Sequence, residues 1–528
     1  MNDPEVVITG GDVLDGTGAA PRRADVVVRG GQIAEIVPPG AARAGAGEVL
    51  DASGLVVAPG FIDLHSHADF SVQAHPAADT AVYQGVTTLL GGNCGFSPFP
   101  VADAAALAGA VGFLGSELDW SWTDLDGYAA AVEADPPAIN MAAQVGHQAL
   151  RMAVVGAGER AATGAELARM RALLAESAEQ GAFGFSTGLI YAPGSYASSD
   201  EVAALATTAA EHGLLYSTHM RDETGGLLAA VAEALDAARA SGARLEISHL
   251  KVMGPANHGA VHAALAMIED ARAGGVDVTA DVYPYTASST TLTSRLPAWA
   301  MDGGPERLLE RLMDRSTRAR IAAALRARFG RDIAPEGVVV AELPDGPYTR
   351  FTGRSLTDIG AELGTDPADA AMELLAAHQA TVAIVNHAMD PGDVADVLAH
   401  PLVSVASDGW TLRPSGPGRP HPRSFGTFAR VLGRYVREDG LLTLPEAVRK
   451  MTSLPASRLG LTDRGEVRAG LTADLAVFDP GTVLDTSDFA HPWRLATGVR
   501  HVLVRGVPVL RDGTATGARP GRVLRRAG

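Results

Sequence analysis

The sequence predicts an α/β protein: a (β/α)8 barrel of the TIM type, a small β-sandwich domain formed by both chain termini, and an insertion after the seventh barrel strand. Three observations predict it. From about residue 60 to 460, short apolar runs alternate with Ala-rich amphipathic stretches, the texture of repeated βα units. Both ends carry short β-type runs separated by Gly-rich turns, with no long helical pattern between them. The stretch 290–350 breaks the βα rhythm.

In chain order, 5–9, 24–29, 32–37 and 48–57 read as strands, and 473–478, 499–504 and 507–511 repeat that texture. Residues 1–59 and 461–528 are therefore assigned to one β domain, the alternative being two unrelated caps. The barrel strands are 61–65, 86–91, 139–145, 182–187, 214–219, 244–249, 276–283 and 402–408, within a catalytic unit of 60–460. Amphipathic runs at 163–180, 200–212 and 226–241 supply helices between them. One further apolar run, 382–386, does not fit a count of eight and is assigned to the excursion.

With 528 residues, 47% hydrophobic and 20% charged, the chain is long enough for a large core and too apolar to be disordered. A formal charge of −18 argues against nucleic acid as a partner, and no apolar stretch is long enough to span a bilayer. The opening MNDPEVVITGGDVLDG has no basic region followed by an apolar run, so the expected location is the cytoplasm. Cys94 is the single cysteine, which excludes an intrachain disulfide and leaves a buried thiol or a working thiolate.

The chemistry lies where imidazoles, thiol and carboxylate fall. Catalytic groups of a parallel barrel sit at the C-terminal ends of its strands. His65 and His67 end the first strand two residues apart, so both point to one side. Cys94 follows the second strand, His219 ends the fifth, His249 the sixth and Asp408 the eighth. Six potential ligands from five segments reach one rim, and imidazole with a thiolate suits zinc rather than calcium or magnesium. No Gly-rich phosphate cradle is present, and Ser186 lacks the GxSxG elbow of a serine hydrolase.

PGFIDLHSHAD, the strand-five and strand-six histidines and the SDG after strand eight resemble the amidohydrolase superfamily. GGNCGFSP, STGLIYAPG, STHMRDE, SHLKVMG, DVYPYTASSTTL and HPRSFGTF are similar to its D-aminoacylases over almost the whole chain. Many superfamily members bridge two metals with a carboxylated lysine, whereas the only lysines here are Lys251 and Lys450, and Cys94 stands where the D-aminoacylase cysteine belongs. The resemblance implies zinc held tightly by Cys94, His219 and His249, with a second, weaker site at His65, His67 and Asp408. It implies hydrolysis of N-acyl-D-amino acids, with Asp408 taking a proton from water and delivering it to the departing amine.

By the same resemblance Lys251, Tyr283 and Arg295 bind the substrate's α-carboxylate, although Arg295 also reads as a surface arginine. Tyr191 donates to the developing oxyanion or simply packs. The D-side chain is expected to meet the 284–300 region, including Ser288, Ser289, Leu292 and Leu296. Its leucines favour an apolar side chain, and an inward Arg295 favours an acidic one. His147 lines the pocket or is a hydrogen-bonded core histidine. The rival readings are a cyclic-amide or other amide hydrolase on this scaffold and a non-catalytic zinc barrel. The Gly/Pro-rich joints at Gly303, Gly304, Gly346 and Pro347 suggest that the insertion is a lid.

Overall fold

The computed structural model describes residues 6–42, 47–111 and 118–526; Glu5, with which the first expected strand begins, lies outside the described residues. The N-terminal end gives β1 (Val6–Val13), β2 (Arg22–Arg29), β3 (Gln32–Val37), β4 (Glu48–Asp51) and β5 (Val56–Pro59). Barrel strands follow: β6 (Phe61–Asp63), β7 (Val86–Gly91), β8 (Asn140–Gly146), β9 (Gly184–Gly188), β10 (Leu215–His219), β11 (Arg244–Ile247) and β12 (Val278–Val282). An excursion carries β13 (Ala287–Thr291), β14 (Val338–Glu342) and β15 (Ala383–His387) before the eighth barrel strand, β16 (Val403–Val405). The chain ends with β17 (Leu475–Phe478), β18 (Val499–Val504), β19 (Val507–Arg511) and β20 (Thr514–Ala515).

The two ends meet where β17 pairs antiparallel with β5, setting Leu475 opposite Pro59 and Phe478 opposite Val56. Where the sequence suggests a sandwich, hydrogen bonding runs continuously through nine strands drawn from both ends. Strand periodicity makes this junction a shared wall, because successive side chains point to opposite faces. Val57, Leu475 and Val477 enter the terminal domain's own core, while Val56, Ala58, Ala476 and Phe478 enter the barrel's outer core.

The eight barrel strands are parallel, in the order β6 through β12 and then β16. The ring is completed beyond the ends of β16 and β6, by a Ser66–Gly409 bridge with Asp408 N–H donating to His65 O and His67 N–H donating to Gly409 O, both at 2.7 Å. The amphipathic runs form helices at Gly164–Glu179, Ser199–Glu211 and Leu227–Ser241. Thr163 and Glu166 close the first with a capping box, and Gly242, at φ 71°, ends the third in the left-handed region.

The excursion runs further than the expected 290–350, and the apolar run 382–386 belongs to it, as the sequence reading assigns. Strand β15 lies between β13 and β14 in an antiparallel sheet, so that sheet exists only if residues 383–387 belong to it. Leu308, Leu325, Ile359 and Leu375 help give this unit a hydrophobic cluster of its own. Among the described residues no helix is long and apolar enough to cross a membrane.

Phe478 is fully buried with its ring 6.1 Å from Phe61, which stacks on Phe428 at 5.9 Å. Phe478→Ala is expected to destabilise the chain by about 3–5 kcal/mol, measured by denaturant unfolding.

Candidate metal centre and substrate pocket

The ligand candidates are held by unusual backbone. Cys94, His249 and Asp408 have φ of 53°, 35° and 51°, the left-handed region that non-glycine residues seldom enter. Such conformations persist only where surrounding structure enforces them, and they collect at functional sites. The enforcement around Cys94 is visible. A Cβ on Gly92 (φ +80°) would lie 2.2 Å from the Gln144 carbonyl oxygen, and one on Gly95 (φ +77°) 2.3 Å from Gln148 Oε1. Glycine thus lets the turn after β7 press against β8 and the helix that follows it.

All six candidate ligands converge in two groups that share Cys94. Donor atoms of His65, His67, Cys94 and Asp408 lie within 4.8 Å of one another, as do those of Cys94, His219 and His249. The sulfur stands 3.2 Å from His65 Nε2 and 3.4 Å from His249 Nε2. Asp408 Oδ1 is 3.1 Å from His67 Nε2 and 3.4 Å from His65 Nε2. Among the described residues neither buried ring nitrogen of His219 has a hydrogen-bond partner, with Glu223 Oε2 standing 3.4 Å from Nε2, an arrangement that calls for a further occupant.

Burial lowers the His65 imidazole to about 4 and drives His219 well below its ordinary value, so these rings are neutral and offer lone pairs. Burial likewise pushes the Cys94 thiol well up, and only a cation beside the sulfur would replace its proton. Neutral imidazoles, one thiol and one carboxylate form a donor set that fits zinc. Burial opposes charge on Asp408, but the Arg423 guanidinium and the hydrogen bond from His67 outweigh it and hold the carboxyl well below the usual range.

A supporting layer escaped the sequence reading. The Asp281 carboxylate accepts from His249 N–H at 2.8 Å and lies 3.3 Å from His65 Nδ1. Asp63 accepts from the backbone N–H of Ser407 at 2.9 Å and from its hydroxyl. Glu223 stands 2.6 Å from Lys251 Nζ, and Arg423 stands 2.8 Å from Asp408 Oδ2. Glu223 and Arg423 both lie in segments that carry the resemblance, STHMRDE and HPRSFGTF, which was the available signal.

The expected substrate residues share the cavity beside the ligands: Tyr191, Lys251, Tyr283, Ser289 and Arg295 line it with Trp410. Arg295 is only 3% exposed, which removes the surface reading; its Nε donates to Ser294 Oγ at 3.1 Å, and among the described residues no carboxylate pairs with it. Lys251 and Arg423 both face the Tyr283 ring, at 5.7 and 5.0 Å from its centroid. The Tyr191 hydroxyl bonds Thr290 Oγ1 at 3.0 Å while its ring stands edge-on to His219, tying the β9 turn to the excursion. His147 stands apart, bonded to Glu201 at 2.8 Å in a buried cluster with Arg151.

The model of the amidohydrolase family matches residues 48–510. An N-acyl-D-glutamate deacylase of Alcaligenes xylosoxydans xylosoxydans is 40% identical over 99% of this chain and 96% of its own length. A D-aminoacylase of the same organism is 38% identical over 99% of this chain and 98% of its own. The chain belongs to the amidohydrolase family and to its D-aminoacylase branch. Among solved structures, the N-acyl-D-glutamate deacylase of Bordetella bronchiseptica, complexed with zinc and a phosphonate mimic of the tetrahedral intermediate, is 39% identical. It covers 99% of this chain and all of its own, at a TM-score of 0.84.

In this amidohydrolase the sulfur of Cys94 belongs to both donor groups. Lys450 donates to the Val403 carbonyl at 2.9 Å on the barrel wall, and Lys251 lines the cavity beside the donor groups. Since both groups share this atom, Cys94→Ala is expected to lose metal from both. Elemental analysis after dialysis should find well under one equivalent per chain; a full retained equivalent would contradict the shared sulfur.

Proposed function

We propose that this chain is a zinc-dependent deacylase that hydrolyses the amide bond of N-acyl-D-amino acids with acidic side chains, releasing the D-amino acid and a carboxylate. The observation that carries the reading is a single cavity that His67, Cys94, His219, His249 and Asp408 of the donor cluster line together with Lys251, Arg295 and Arg423. The D configuration is supported by the activities of the relatives.

Zinc held by Cys94, His219 and His249 would polarise the amide carbonyl and acidify water, with His65, His67 and Asp408 as a second, weaker set. Asp408 is ionised and anchored through both oxygens, Oδ1 toward His67 and Oδ2 toward Arg423. It takes the proton of the attacking water and returns it to the nitrogen of the departing amine. Tyr191 offers its hydroxyl hydrogen to the carbonyl oxygen as charge develops there.

The sequence reading groups Arg295 with Lys251 and Tyr283 on the α-carboxylate. The geometry supports Arg423 in that place, since Arg423 and Lys251 share the Tyr283 ring. Arg295 is then a buried cation with no carboxylate partner among the described residues, and an acidic side chain satisfies it, with Ser289 alongside.

The deciding assay is amine release by zinc-replete protein from paired N-acetyl-D- and N-acetyl-L-amino acids with acidic, apolar and basic side chains. Turnover is expected in the D series, fastest for glutamate or aspartate; turnover of neither series would overturn the reading. Asp408→Asn should keep its tight zinc while kcat falls by about 10²–10⁴. Arg295→Leu should lower kcat/KM for acidic substrates by about 10² or more and leave apolar D substrates less affected.

A further inference from the structure

Glu223 is buried at the end of the STHMRDE segment, and the reaction as described gives it no task. Its carboxylate meets three groups at once. Oε1 lies 2.6 Å from Lys251 Nζ and 3.1 Å from His249 Nδ1, and Oε2 lies 3.4 Å from His219 Nε2. Resting on the zinc-deacylase reading above, we propose that Glu223 is a positioning residue that couples metal affinity to recognition of the substrate's α-carboxylate, by fixing two ligand imidazoles and the clamp lysine with one side chain.

The tautomers make the argument. His249 turns Nε2 toward the Cys94 sulfur at 3.4 Å, so Nε2 is its ligating nitrogen and its proton resides on Nδ1. That Nδ1–H needs an acceptor, and Glu223 Oε1 is the carboxylate within reach. A ligand histidine donating its far nitrogen to a carboxylate has its ring orientation set and its basicity raised. His219, whose ring nitrogens have no hydrogen-bond partner among the described residues, has the second oxygen of the same carboxylate 3.4 Å from Nε2.

Lys251 Nζ lies 2.8 Å from His249 Nδ1, but an ammonium cannot donate to a protonated nitrogen. Its acceptors are therefore Glu223 Oε1 and, at 3.1 Å, the His249 carbonyl. An ammonium carries three N–H bonds, so one remains for a ligand in the cavity that Lys251 lines. The Glu223–Lys251 pair is also neutral as a unit and adds no net charge beside the metal. Replacing the carboxylate by an amide leaves Lys251 as an uncompensated cation next to zinc and frees it to swing.

The test compares full-length, zinc-loaded wild type with Glu223→Gln. Zinc Kd is read by competition with a chromogenic chelator, and KM and kcat for N-acetyl-D-glutamate at saturating zinc. Zinc Kd is expected to weaken by about 10- to 100-fold, and KM to rise more than kcat falls. In cobalt-substituted protein the visible bands should shift, and Glu223→Asp should recover part of the zinc affinity. A zinc Kd within twofold of wild type, or an unchanged KM, overturns the coupling. If Glu223→Gln does not fold, Glu223→Ala is measured against the same limits. The zinc Kd needs no turnover, so a wild type inactive on every N-acyl-D-amino acid defeats the activity reading while the zinc measurement still decides this one.

Discussion

The barrel is sealed by two hydrogen bonds, Asp408 N–H to His65 O and His67 N–H to Gly409 O, and the site depends on that seam. They join the turn after the first barrel strand to the turn after the eighth, where His65, His67 and Asp408 come together. Closure of the sheet and assembly of His65, His67 and Asp408 are therefore one event. Asp63 reinforces the seam from below by accepting from Ser407, so a carboxylate that no substrate reaches helps to hold the rim in register.

Buried charge explains the rest of the arrangement. An isolated buried ion is costly, and most charges around this cavity have a counterion or hydrogen-bond donor within reach: Asp408 with Arg423, Glu223 with Lys251, Asp281 with the His249 N–H. Among the described residues two features lack one, the ring nitrogens of His219 in the donor cluster and Arg295. The first fits a cation and the second an anion. On the proposed function, a metal and an acidic end of the substrate would occupy these two places in the same cavity. Left-handed backbone at Cys94, His249 and Asp408 shows that the fold accepts local strain to point these groups inward.

Much of this was legible in the sequence. Period-two histidines in LHSH, strand-end His219 and His249, and the lone Cys94 between glycines name the donor set because barrel topology gathers strand ends at one rim. The extent of the excursion was harder to read. Its central strand, 383–387, is separated from its partners by helices, and an apolar run says nothing about which sheet it joins. Arg423 was missed because it comes from a helix beyond the last barrel strand, Arg423–Arg430, and reaches Asp408 only through tertiary packing. Glu223 was missed because a carboxylate four residues past a histidine ligand looks like any solvated loop acid until its burial is seen. Arg295 could be placed inside only by the structure, since a polar segment of this kind serves a surface equally well.

On the proposed function, one cysteine sulfur anchors the metal beside the cavity that Lys251 and Arg295 line. X-ray absorption at the zinc edge, on protein loaded with a single equivalent, tests it most directly. One sulfur neighbour at about 2.3 Å with nitrogen and oxygen completing the shell is the expected spectrum. A shell of nitrogen and oxygen alone would contradict it.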